Sequence, residues 1–248
     1  PVDPPTTQSG DAAVPRADAP EPAQAVDSVP GGGAGARPPA SARDVAVGEL
    51  ILRIRGEASD SCLLALPRRD GEDGIGLSMI ATDDSAMEGF AEAVLTDAEK
   101  AELRQSRTLV DPRQCAALTY VRLNSDYPAT RIGMALESRD VQSGTSVTGV
   151  IRVADGFDHT LLLVDNNGVV QDLGRFLVRQ DGFVTFDIPV TRVGPQRDTA
   201  QLLVAVMAHD GLDVFETRSG QLADAVFSGL RGELDGDAAL GIVPFRVR

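Results

Sequence analysis

Between Ser146 and Pro189 the chain is punctuated three times by residues that favour a positive φ: Asp155-Gly156, Asn166-Asn167-Gly168 and Asp181-Gly182. Glycine enters the left-handed region without a Cβ clash, and Asn and Asp tolerate it. Turns made this way match the twist of two paired strands. The runs between them, among them VTGVIRVA, HTLLLV and FVTFDIPV, are rich in β-branched and apolar residues. The stretch therefore predicts consecutive antiparallel strands, arranged as a β-meander.

The elements on either side extend this pattern. Arg131 to Glu137 predicts a further strand, and Gln201 to Ala208 (QLLVAVMA) is apolar almost throughout, as expected of a central strand buried on both faces. Gln221 to Leu234 predicts an amphipathic helix, with Leu222, Ala225, Val226, Leu230 and Leu234 as its stripe, although Gly229 and Gly232 weaken it. Leu240 to Val247 predicts a last strand that returns to pair with an earlier one. Residues 129–248 are thus expected to form an antiparallel, immunoglobulin-like β-sandwich with a C-terminal helix and strand.

Residues 45–128 are expected to form a smaller α+β subdomain, which makes the fold class α+β overall. Strands are predicted at Leu50–Arg55, Ser61–Leu66 and Ile75–Ala81. Thr96-Asp97-Ala98-Glu99 has capping-box spacing ahead of KAELRQ. Asp111-Pro112 pairs an N-cap with a proline at the first helical position, opening a helix that runs to about Leu123. On it Cys115, Ala117, Leu118 and Val121 recur at helical spacing, so Cys115 is expected to face inward.

Residues 1–44 cannot contribute to a core. They hold nine of the fifteen prolines and the run Gly31 to Gly35, but no Leu, Ile, Phe, Met or Tyr, so a solvated, semi-extended linker is expected. The chain opens on Pro1 rather than Met, which leads us to expect further sequence upstream. No apolar run within it is long enough for a membrane helix.

Cys62 and Cys115 are the only cysteines, both expected on buried faces of the same subdomain. Two buried free thiols and a disulfide are both compatible with that placement; the disulfide is the expectation, and it implies an oxidising compartment. With no CxxC, the pair offers neither a zinc site nor a redox motif.

No catalytic, cofactor-binding or metal-binding residues emerge. His159 and His209 fall at strand ends, where a solvent-facing or hydrogen-bonded ring is expected rather than a base. Asp158, Asp165 and Asp172 also lie at or beside strand ends, but Asp165-Asn166-Asn167-Gly168 lacks the spaced ligands of a calcium loop and reads as a hairpin turn. Ser61 and Ser146 are outside any nucleophile elbow, and the acidic GEDGIG at Gly71–Gly76 does not suit a phosphate. A net charge of −14 and the absence of Trp argue against nucleic acid as a partner.

The segment DPRQCAALTYVRL from Asp111 to Leu123, the strand CLLALP after Ser61, the runs SGTSVTGVI and HTLLLVDNNGVVQDL, the QLLVAVMA strand and the closing helix and strand together resemble a known group. They are similar to the C-terminal extracytoplasmic region of alphaproteobacterial membrane proteins described as serine/threonine protein kinases, some relatives being caspase-like. The resemblance spans Val45 to Arg248, and its tightest pattern is P-x-Q-C at Pro112 to Cys115. It implies a kinase upstream of a single membrane span, residues 1–44 as the exported tether, and a non-catalytic sensing or binding head in the periplasm or otherwise outside the cytoplasm. The chain itself lacks the HRD, DFG and glycine-rich loop motifs of phosphoryl transfer. Its partner would be an unidentified ligand or envelope protein, with the membrane reached only through the upstream anchor. An exported structural or interaction module without a kinase is the competing expectation.

Overall fold

The structure, a computed structural model, describes residues 41–57, 62–70, 74–180, 182–194, 197–230, 234 and 238–248. All but the last four positions of the expected linker lie outside the described residues. Ala40 to Arg248 form one compact unit.

The unit opens with α1 (Ala42–Gly56). Here the expected strand at Leu50–Arg55 is wrong. Alternating Leu50, Leu52 and Ile54 fit a strand, but Leu50 and Ile54 also lie one helical turn apart, and these two are buried while Leu52 is exposed. Ser41 decides the matter: its hydroxyl accepts from the Asp44 N–H at 3.1 Å, and the Asp44 carboxylate accepts from the Ser41 N–H at 3.2 Å. This capping box starts the helix well upstream of the apolar run.

β1 (Leu63–Asp70) and β2 (Gly74–Ala81) form an antiparallel pair, so the strand expected to stop at Pro67 runs on through it. α2 (Asp84–Val94) follows, and then α3 (Asp97–Glu102), capped by Thr96 and Glu99 as the sequence predicts. KAELRQ does not stay helical, because β3 (Arg104–Leu109) begins within it and adds to β2 in parallel. β3 is an edge strand with no fully buried residue, and its pairing with β2, rather than any apolar pattern, holds it in place. A 3₁₀ turn at Pro112–Gln114 then leads into α4 (Cys115–Arg122), with Ala117, Leu118 and Val121 buried.

The rest is a sandwich of two sheets. It comprises β4 (Met134–Leu136), β5 (Asp140–Val141), β6 (Thr145–Arg152), β7 (Asp158–Val164), β8 (Val170–Asp172), β9 (Leu177–Gln180) and β10 (Phe183–Val190). β11 (Gln201–Ala208), α5 (Asp213–Thr217), α6 (Ala223–Ser228) and β12 (Ala239–Val247) complete the chain. One sheet has the order β4-β6-β10-β9 and the other β5-β12-β11-β7-β8. The strand expected over Arg131–Glu137 shrinks to three residues, while the final strand does return, pairing with β11 and β5.

The expected meander is corrected by this order. Gly156, Gly168 and Gly182 have φ of 82°, 78° and 77°, so all three turn signals are real. Only the second and third close hairpins, β7–β8 and β9–β10; the turn at Asp155-Gly156 instead carries the chain from one sheet to the other, and β6 pairs with β10. A positive-φ glycine identifies a reversal but not the strand that the next segment will meet.

β11 lies at the centre, as its sequence predicts. Leu202, Val204 and Val206 face a core shared with the helices and the three-stranded sheet, whereas Leu203, Ala205 and Met207 face the core between the two sandwich sheets. The four-stranded sheet has only one covered face, so β10 alternates: Val184, Phe186, Ile188 and Val190 are buried and the residues between them are not. The expected helix at Gln221–Leu234 is shorter than predicted. It ends as α6 at Ser228, where the Arg218 guanidinium donates to the Val226 carbonyl at 3.3 Å, and Leu222 and Ala225 lie outside the buried stripe. The entropic cost of Gly229 favours the stop.

Candidate site at the sandwich corner

Cys62 and Cys115 are joined in a disulfide, with Cα atoms 4.9 Å apart and a separation of 53 positions in sequence. Cys62 occupies the turn just before β1 rather than the strand itself, and Cys115 is the first residue of α4. α4 packs on β1. Both cysteines are half-buried at the edge of that contact, so the inward-facing position expected of Cys115 holds in part.

The residues just before Cys115 form a clasp. Asp111 caps the 3₁₀ turn by accepting from the Arg113 N–H at 3.1 Å, while Gln114 Oε1 accepts from the Asp111 N–H at 2.8 Å. Gln114 is fully buried, and its Nε2 donates to the carbonyl of Val164, the last residue of β7, at 3.0 Å. One amide therefore closes the 3₁₀ turn that leads into α4 and pins that turn to the five-stranded sheet.

The β7–β8 turn fits against the same segment. Asp165 Oδ1 accepts from the N–H groups of Asn167 at 2.8 Å and Val169 at 2.9 Å, which is the hairpin-turn role the sequence predicts. A Cβ at Gly168 would lie 2.6 Å from the Arg113 carbonyl oxygen, and its φ is +78°. Replacing Gly168 with Ala combines backbone strain with a backbone clash, and is expected to cost on the order of 2 kcal/mol in urea unfolding.

A third segment, between β10 and β11, closes the corner. Asn166 Nδ2 donates to the Thr199 carbonyl at 2.8 Å and to its hydroxyl at 2.7 Å. Arg197 Nη1 donates to the Asn166 carbonyl at 3.0 Å and lies 3.9 Å from Asp111 Oδ2. The Arg113 guanidinium beside Asp111, helped by the Arg113 N–H and by Arg197, holds the Asp111 carboxyl below its ordinary range despite partial burial. Glu99 is also lowered: burial pushes it up, but bonds from the Thr96 N–H, the Arg53 guanidinium and the Thr96 hydroxyl outweigh this.

A carboxyl lowered by folding binds fewer protons in the native state than in the unfolded chain. Its stabilisation is complete above the unfolded pKa and is lost as pH falls through the folded one. Urea unfolding from about pH 7 down to about pH 3 is expected to show falling stability below about pH 5, with a shallower slope in Asp111→Asn.

These segments enclose a cleft of about 290 Å³ at the end of the sandwich. Asp165, Asn166, Arg192, Arg197, Thr199 and Gln201 are among its lining. The Arg192 N–H donates to Ser143 Oγ at 3.0 Å, which fixes its backbone, and its Nη1 is buried with no hydrogen-bond partner among the described residues. The sequence reading missed Arg192 and Arg197. Neither belongs to a motif, and the loop that carries them has no periodicity.

The other candidates lie elsewhere. His159 and His209 are at the opposite end of β7 and β11 from the cleft. His209 stacks on Phe157 with ring centroids 4.1 Å apart, and its Nδ1 is 3.2 Å from the Gly156 carbonyl oxygen. The His159 ring is partly buried; burial, then nearby Arg179, hold its pKa below the ordinary value. Asp172 accepts from the Thr160 hydroxyl at 2.7 Å and from the Gly174 N–H at 2.9 Å, and Asp158 is exposed at the start of β7. Ser146 is paired with Pro189 in the sheet, while Ser61 and positions 71–73 lie outside the described residues. Among the described residues no group of three His, Cys, Asp or Glu is placed to hold a metal, and no helix is long and apolar enough to cross a membrane.

No protein-family model matches this chain, and no curated protein is significantly similar to it.

Proposed function

We propose that this chain is the non-catalytic extracytoplasmic sensing or binding head of a membrane-anchored signalling protein of the serine/threonine kinase type. The observation that carries the reading is the Cys62–Cys115 disulfide. Structural disulfides persist in oxidising compartments and are rare in the cytosol, so this bond supports a periplasmic or other exported location. The polar cleft supports binding, because it is built from loops at one end of a rigid sandwich, where recognition sites are commonly carried. The kinase and its membrane span belong to the proposal through the resemblance of residues 45–248, and any phosphoryl transfer would be performed upstream of them.

Sequencing the reading frame upstream of Pro1, together with protease accessibility in intact and permeabilised cells, tests this reading. A kinase domain followed by about 20 apolar residues, with this chain degraded only once the outer barrier is opened, is the expected result. A cleavable signal peptide alone would replace the receptor reading with a free envelope protein. A product protected behind the inner membrane would overturn both.

A further inference from the structure

We propose that the corner cleft binds a small oxyanion, of carboxylate or phosphate type, through the guanidinium of Arg192. The inference deepens the binding-head reading and rests on it only for the compartment where the ligand is met.

Three observations carry it. First, the charged side chains lining the cleft differ in how far they are already engaged. Arg197 is taken up by the Asn166 carbonyl and Asp111, and Asp165 Oδ1 by two turn N–H groups, whereas the half-buried Arg192 guanidinium has no hydrogen bond or ion pair among the described residues. Burying a charged donor without an acceptor is costly, and a guanidinium fork matches the two oxygens of a carboxylate or phosphate. An oxyanion in the cleft supplies an acceptor to the guanidinium nitrogens of Arg192 other than the buried Nη1.

Second, the backbone that carries Arg192 is fixed before any ligand arrives. The Arg192 N–H is held by Ser143 Oγ, and the Ser143 N–H donates to the Arg248 carbonyl at 2.7 Å, so the loop is tied to the chain terminus beyond β12. A loop whose backbone is already held loses little backbone freedom on binding. Third, size and lining limit the ligand. At about 290 Å³ the cleft lies at the lower end of the range for small-molecule sites, and Gln171, Thr199 and Gln201 add neutral polar groups beside the charge.

The test is calorimetric titration of the full chain with succinate, inorganic phosphate and neutral succinamide at low ionic strength. Saturable binding of at least one anion, none of succinamide, and a loss of about 10-fold or more in Arg192→Gln are expected. Tighter binding of succinate assigns the carboxylate class, and tighter binding of phosphate assigns the phosphate class. Arg192→Lys, which keeps the charge but not the fork, should bind more weakly than the parent and more tightly than Arg192→Gln. Should Arg192→Gln fail to fold, Gln171→Leu, at an exposed position of β8, is expected to weaken binding several-fold with an unchanged unfolding midpoint. The proposal is overturned if neither anion binds at about 10 mM, if succinamide binds equally, or if these variants bind like the parent. Such a failure would not touch the exported location, which protease accessibility decides separately.

Discussion

Replacing both Cys62 and Cys115 with Ala should lower the free energy of unfolding by about 4 kcal/mol, the chain-entropy value for a closed loop of this length. Their separation of 53 positions means that the bond constrains most of the N-terminal layer in the unfolded chain, from the start of β1 to the start of α4. In the folded state little else should change, because Leu63, Leu64, Leu118 and Val121 remain buried in the same core. The expected signature is a lower urea midpoint with reductant-independent unfolding in the variant, and a comparable drop in the parent once it is reduced. A parent whose midpoint is unmoved by reductant would show that the bond contributes nothing to stability.

Gln114→Ala should cost about 3 kcal/mol, a large effect for one side chain that carries no charge. It removes two hydrogen bonds and leaves the Asp111 N–H and the Val164 carbonyl without partners at a site where Gln114 is wholly buried. Gln114→Glu should be at least as damaging, since an oxygen then replaces Nε2 against the Val164 carbonyl. Both variants can be measured by urea unfolding, and in both the loss should be accompanied by weakened docking of α4 against β7, visible as faster amide exchange in α4. If Gln114→Ala unfolds like the parent, the clasp is not what holds α4 to the sheet.

That clasp explains the tightest pattern in the sequence. In the run from Asp111 to Cys115, Asp111 caps, Pro112 opens the turn, Gln114 closes the box and reaches the sheet, and Cys115 bonds to Cys62. These positions have structural roles, so the motif describes how the fold is assembled.

What the sequence made legible follows from the range of the forces involved. Turn glycines, the Thr96 and Asp111 caps and the doubly buried β11 are set by local conformation or by a long apolar run, and all were readable. α1 was misread because six alternating residues fit two periodicities, and the deciding Ser41 cap lay in a segment assigned to the linker. β3 was missed because an edge strand without a buried face carries no pattern, and its parallel pairing with β2 is non-local. The cleft was illegible for the same reason on a larger scale. Asp111, Asn166, Arg192 and Arg197 are brought together by three separate connections, and no one segment of the chain contains the set.

The most direct measurement is the redox state of Cys62 and Cys115 in cells, read by acid quenching followed by alkylation with a mass-tagged maleimide. An exported head predicts a chain that takes up no tag unless it is first reduced, and then takes up a tag at each of its two cysteines. Tagging of both thiols without reduction would contradict the oxidising compartment, and with it the reading of this chain as an extracytoplasmic head.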